Sequence, residues 1–307
     1  MLTSFFSNSK PFHFIVVSLL LFAGCFVYLF QGYNEAINSS DLTVPFFQSF
    51  VFLLLFLLLS FIIKKNRLTQ SNSYALFIFC SFILAVPILF KEYDTVFSLL
   101  FLLLAMRRIL SLTSKKDMEK KILDASIWIT IASLFYFWSI LFFIVLFIAI
   151  IQLASKNFRL VIIPFVGFFS IFILTTAYQL IINDALWWFL EYIPQIGFDF
   201  SSYYSLSLLI PTIFIVVLGL LGALYKAINF SNTPLKEKSK YWLLIFSLLI
   251  GILIIILTDY KNGNELIFLF VPISIFTAMF LEKIDKKWIT EILLWLIIIT
   301  PITIYFL

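Results

Sequence analysis

Along this chain apolar residues come in unbroken runs of about 18 to 20, without the alternation of a strand. At 1.5 Å per residue such a run crosses the ~30 Å hydrocarbon core of a bilayer. A spanning backbone must satisfy its own hydrogen bonds, so helices are expected rather than a barrel. Read against their polar breaks, the runs fall at 12–30, 45–63, 73–90, 95–112, 122–135, 137–154, 160–182, 205–225, 241–258, 266–281 and 288–307. The expectation is an all-α polytopic membrane protein with about eleven transmembrane helices in a single integral membrane domain, 1–307.

Hydropathy alone would make 122–154 one long helix. Strongly basic segments stand at both its ends: Lys115, Lys116, Lys120 and Lys121 before it, Lys156 and Arg159 after it. Positive charge stays in the cytoplasm, so the chain must go out and return. A break in the aromatic stretch LFYFW, 134–138, gives a short or re-entrant helical hairpin. With that break, only Lys91 and Lys261 of the 21 basic residues fall outside, leaving 19 inside. The amino terminus is then cytoplasmic and the carboxyl terminus periplasmic, in a bacterial inner membrane.

Composition agrees with this reading. Hydrophobic residues make up 63% and charged residues 12%, with a mean hydropathy of +1.11; a soluble domain is about one quarter charged. The first run is too long for a signal-peptide core and lacks an Ala-x-Ala exit, so it is expected to be retained. Cys25 and Cys80 fall inside expected spans as apolar filler, without disulfide or zinc spacing. One histidine, His13, cannot supply the several imidazoles of a membrane iron oxygenase. Membrane lipids are the expected surroundings, and no nucleic-acid partner is expected.

Candidate chemistry gathers at the external loops 31–44, 91–94, 183–204 and 259–265 and the turn near 136. They hold nine acids: Glu35, Asp41, Glu92, Asp94, Asp184, Glu191, Asp199, Asp259 and Glu265. No ionisable group lies near the centre of an expected span, which disfavours an ion-coupled carrier. An external carboxylate can deprotonate an acceptor hydroxyl while a cation holds the phosphate of a lipid-linked donor. Glu35 and Asp41 are the candidate catalytic acids, Lys261 and Lys91 the candidate donor-phosphate cations. Asp199, Glu265 and Glu191 are candidate substrate-binding residues, with Asp199 in GFDFSSYY set among aromatics that can bury it. Arg107 and Arg108 suit anchoring to lipid headgroups. No protein metal site is assigned, although a divalent cation at the external carboxylates is a candidate cofactor. Loop 183–204, with ALWWFLEYIPQIGFDF, suits a segment lying in the headgroup layer.

The stretches MLTSFFSNSKP, LAMRR, ASLFYFW, GFDFS and KNGNE resemble an uncharacterised family of Bacteroidota inner-membrane proteins over the whole chain. Some of its members bear the name beta-carotene monooxygenase, which the lone histidine does not suit. A remoter resemblance is to the GT-C class of glycosyltransferases, with about eleven to thirteen membrane helices and an acid in the first external loop. That resemblance implies a polyprenyl-phosphate sugar donor, and Glu35 or Asp41 matches the position of the acid that serves as base or metal ligand. The chain departs from the class in lacking an adjacent Asp-Glu pair and a large external domain.

The leading expectation is therefore a GT-C-like transferase that moves a sugar such as mannose from a polyprenyl phosphate to a periplasmic acceptor. The alternative is a non-enzymatic scaffold or partner subunit of an envelope secretion or glycan-export complex, with a protein partner. A lipid flippase or transporter is a further alternative.

Overall fold

The structure is a computed structural model that describes residues 2–7, 11–32, 39–153, 158–231 and 233–304, with 11, 29–32, 39–46 and 235–236 described as backbone only. Among the described residues every regular element is helical. Among the described residues, seven helices are long and apolar enough to cross a membrane, and three further apolar stretches of helix are shorter. The runs expected at 73–90 and 137–154 are among the shorter ones. The run expected at 73–90 is divided by Pro87 into a helix, Tyr74–Leu84, and a 3-10 turn, Pro87–Phe90. Val86, just before that proline, is pushed out of the helical region to φ −127° and ψ 78°. Gln48 Nε2 donates to the Leu89 carbonyl at 2.8 Å, so the irregular backbone has a partner.

The helices sort into two compact units. The first contains residues 1–96, 200–233 and 261–307. It is built from α1 (Leu2–Phe6), α2 (Pro11–Gly32), α3 (Ser39–Asn66), α4 (Tyr74–Leu84), α10 (Leu206–Ile228), α12 (Ile267–Leu281) and α13 (Lys287–Ile304). Its axis is α12, packed against α4 and α10, and 89% of the span Asn264–Leu281 is buried. Glycine sets one of these contacts. A Cβ on Gly222 would lie 2.6 Å from the Phe276 carbonyl carbon, so the backbones of α10 and α12 can meet there only without a side chain.

The second unit contains residues 97–199 and 234–260. It holds most of α5 (Tyr93–Ser111), with α6 (Met118–Phe135), α7 (Phe142–Leu153), α8 (Arg159–Asn183), α9 (Trp188–Tyr192) and α11 (Leu235–Leu257). Stretch 122–154 is not one continuous helix. Helix α6 ends at Phe135, Tyr136 is extended at φ −142° and ψ 107°, and a 3-10 turn over Phe137–Leu141 leads into α7, which packs back on α6. Hydroxyls hold the break together: Tyr136 Oη and Thr258 Oγ1 are 2.7 Å apart, Tyr192 Oη donates to the Ser133 carbonyl at 2.8 Å, and Ser139 bonds Ser98. Helix α8 lies close to α6 through Gly167, where a Cβ would collide with Ser126. Only 17% of the α8 span is buried, leaving most of its apolar surface exposed.

Candidate functional site

The turn between α11 and α12, DYKNGNE, places a lysine and a glutamate four residues apart on a tight loop. Gly263 makes that loop possible with φ +96°, a conformation that side chains rarely adopt. Its amide N–H then donates to Glu265 Oε2 at 3.1 Å, and Tyr203 Oη donates to Glu265 Oε1 at 2.7 Å. Glu265 is completely buried. Lys261 is only 2% exposed, and its ammonium sits 4.6 Å from the centre of the Phe200 ring. A cation over a ring face and a carboxylate with aimed donors are how charges are tolerated inside an apolar environment. Asn262 Oδ1 accepts from the Asn264 amide at 3.1 Å and completes the turn.

The cluster is a clasp more than an open site. A donor phosphate would reach Lys261 only after the turn opened. Phe200 and Tyr203, its aromatic half, were not among the residues singled out from sequence. Both lie in GFDFSSYY, whose aromatics were expected to bury Asp199 and instead cover the 261–265 turn. Asp199 itself is exposed, so those aromatics do not bury it.

The other candidates are spread out. Glu35 lies outside the described residues. Asp41 falls in the first turn of α3, which begins at Ser39, and its side chain is outside the described set. Lys91 is exposed just after the 3-10 turn Pro87–Phe90. Glu191 is exposed on α9, the short helical piece of loop 183–204. Arg107 and Arg108 are half-buried on α5, and Arg108 Nη2 pairs with Asp124 Oδ2 of α6 at 2.7 Å. That pair spans sixteen positions of sequence and carried no local signal. Among the described residues, no three His, Cys, Asp or Glu side chains come together in a metal-binding group.

A second feature belongs to the first unit alone. Leu20, Ala23, Gly24 and Val27 repeat at helical spacing along one face of α2, as do Phe77, Cys80, Ser81 and Leu84 along α4. With Ile298, Pro301 and Ile302 of α13 they enclose an apolar groove of about 450 Å³. The small side chains of Ala23, Gly24, Cys80 and Ser81 are what leave the space. Pro301 lacks an N–H, so the Ile297 carbonyl loses its usual helical donor. Ser81 Oγ supplies a replacement across the helix pair at 2.6 Å, which keeps the groove wall free of an orphaned carbonyl.

The chain belongs to a family of unknown function, DUF6427, whose model matches residues 1–307. No curated protein matches it. No solved structure matches it.

Proposed function

We propose that this DUF6427 member is a GT-C-like glycosyltransferase of the bacterial inner membrane, taking a sugar such as mannose from a polyprenyl phosphate to a periplasmic acceptor. The observation that carries the reading is the apolar groove between α2, α4 and α13. It suits a hydrocarbon chain, and α2 runs on from Val27 to Gly32, three positions before Glu35 in the sequence. With the amino terminus in the cytoplasm, the groove lies in the external half of the membrane and the carboxyl terminus is periplasmic. The isoprenoid chain occupies the groove, and its phosphate sits at the external surface, where Lys91 is the exposed cation. Glu35 or Asp41 then takes the proton of the acceptor hydroxyl as the sugar transfers. Lys261 and Glu265 serve this reading by holding the 261–265 turn. Asp199 and Glu191 face the aqueous side, where an acceptor arrives. A divalent cation at Glu35 and Asp41 would appear as transfer lost on chelation and restored by the metal.

The test is gene deletion followed by mass spectrometry of surface glycans and secreted proteins. Complementation then uses Glu35→Gln, Asp41→Asn and the groove-filling Gly24→Trp. One sugar should disappear on deletion and stay absent with a correctly inserted Glu35→Gln or Asp41→Asn. Unchanged glycans in the deletion strain would sink the reading.

A second reading, a non-enzymatic partner subunit of an envelope secretion or glycan-export complex, has its own observation. In the second unit Trp187, Leu190, Ile196 and Phe198 are between 55% and 69% exposed on loop 183–204, a concentration of apolar surface at the external side. Photo-cross-linking from position 187 separates the readings. A single protein adduct lost on Phe198→Ser supports a subunit, whereas lipid adducts alone support a segment resting in the headgroup layer.

A further inference from the structure

At the other end of the first unit, three polar breaks meet. Helix α1, the loop after α3 and the turn between α12 and α13 enclose a polar cavity of about 340 Å³, lined by Thr3, Ser7, Asn72, Glu282, Lys287 and Thr290 among others. Several waters would fit at ~30 Å³ each, so the space accommodates a small polar group. The scaffold around it is built with care for hydrogen bonds. Leu2 and Thr3 amides donate to the Glu291 carboxylate at 2.7 and 3.0 Å, which pins α1 to α13. Tyr74 Oη donates to the Thr3 carbonyl at 3.1 Å.

Glu282 is held differently. Its Oε1 accepts from the Gln70 amide at 2.9 Å and from Asn72 Nδ2 at 2.5 Å. Both bonds go to one oxygen, and among the described residues Oε2 accepts none. Lys287, on the same cavity, is exposed and has no ion pair among the described residues. One anion and one cation therefore line a single cavity without being paired to each other. Beside them Trp288 is 62% exposed at the start of an apolar helix, the position of an interfacial aromatic at headgroup depth.

We propose that this cavity binds the headgroup of a phosphoethanolamine lipid, with the lipid ammonium on Glu282 and its phosphate on Lys287. Charge complementarity selects this occupant. A purely anionic headgroup would meet the Glu282 carboxylate with repulsion. A choline headgroup carries the same charges but no N–H, so it cannot donate to Oε2, whereas a primary ammonium can. The Thr3 and Ser7 hydroxyls already donate to Glu291 Oε2 and to the Ser4 carbonyl, so Thr290, also on the cavity, is the hydroxyl that offers a further donor to a phosphate oxygen. The site lies at the basic end of the helices, among Lys283, Lys286 and Lys287, which the positive-inside pattern assigns to the cytoplasmic leaflet. It does not depend on the transferase reading.

The full-length protein is reconstituted in nanodiscs of equal phosphatidylethanolamine, phosphatidylcholine and phosphatidylglycerol, and retained lipid is counted by native mass spectrometry. Wild type should retain phosphatidylethanolamine over phosphatidylcholine by about tenfold, the effect of one charge-assisted hydrogen bond. Glu282→Gln should bring that ratio close to one, and Lys287→Ala should weaken retention of both. Equal retention by wild type overturns the proposal, and so does a ratio unchanged by a folded Glu282→Gln. Wild type alone decides the matter if the variant fails to fold. Soluble phosphoethanolamine is added as a competitor; displacement of the lipid at matched concentration would assign the cavity to a solute and overturn the lipid assignment.

Discussion

At the scale of single residues, the informative groups are polar ones that the fold has to accommodate in apolar surroundings. The Ser81 hydroxyl and the Ile297 carbonyl are the clearest pair, because Pro301 removes the donor that α13 would otherwise provide. Ser81→Ala is expected to lower stability by about 1 kcal/mol. In a Pro301→Ala background the restored N–H can serve the same carbonyl, so the cost should fall by more than half. The cycle is measured by thermal unfolding in one detergent. Thr300 Oγ1, which also donates to the Ile297 carbonyl at 3.2 Å, remains in the variant and limits the loss.

Glu265 is the second case. Tyr203→Phe removes one of its donors and should cost about 1 to 2 kcal/mol, while Glu265→Ala removes the acceptor of both the Tyr203 hydroxyl and the Gly263 amide and should cost more. Equal losses would mean that the carboxylate does not organise the turn. Glu282 adds a pH dependence. Burial pushes its carboxyl above the ordinary 4.5, against the bonds from Asn72 and Gln70 and the nearby charge of Lys283. The folded chain therefore binds the proton more tightly than the unfolded chain, and stability falls as pH rises from 4.5 through the raised value. Glu282→Gln should flatten that slope in a pH series of unfolding temperatures.

At the scale of elements, glycine decides how closely helices approach. On α10, Gly222 faces the backbone of Phe276 and Thr277, whereas Gly219 faces the flexible end of Ile273, with Cδ1 at 2.9 Å from the position of an added Cβ. Backbone cannot move aside as a side-chain tip can. Gly222→Ala should therefore destabilise by about 1 to 3 kcal/mol and Gly219→Ala by clearly less, read from unfolding in detergent. Proline acts at the same scale. Pro87 ends the α4 run early, where hydropathy led to one span over 73–90, and its cost is covered by Gln48 from α3, which no local pattern revealed. The aromatic break at 134–138 was legible because charge at both ends of 122–154 demanded it. The hydroxyl contacts that hold it, from Thr258 and Ser98, come from distant parts of the chain.

At the scale of the whole molecule, topology and burial make a joint prediction. A membrane-impermeant amine reagent applied from the external side should modify Lys91, leave Lys115 and Lys116 untouched in sealed cells, and reach Lys261 only after denaturation. Modification of Lys115 without lysis would overturn the orientation, and ready modification of Lys261 would overturn the clasp. The candidate site was legible in part. KNGNE pointed to a turn carrying opposite charges, but the partners that close over it, Phe200 and Tyr203, lie about sixty positions earlier and are joined to it only by folding. By itself the sequence determined that the chain is helical, that it carries helices long and apolar enough to cross a bilayer, and that 122–154 breaks at its aromatic centre, because length, apolarity and charge are local properties. Tertiary structure alone decided which helices are inside. The spans at 264–281 and 159–183 are both strongly apolar, with mean hydropathies of 1.9 and 2.4, yet 89% of one is buried and 17% of the other. Lipid tails are as apolar as a protein core, so hydrophobicity cannot separate a helix that faces lipid from one that faces protein. Close approach at small residues and the pairing of stranded polar groups make that choice, and both depend on residues far apart in the chain.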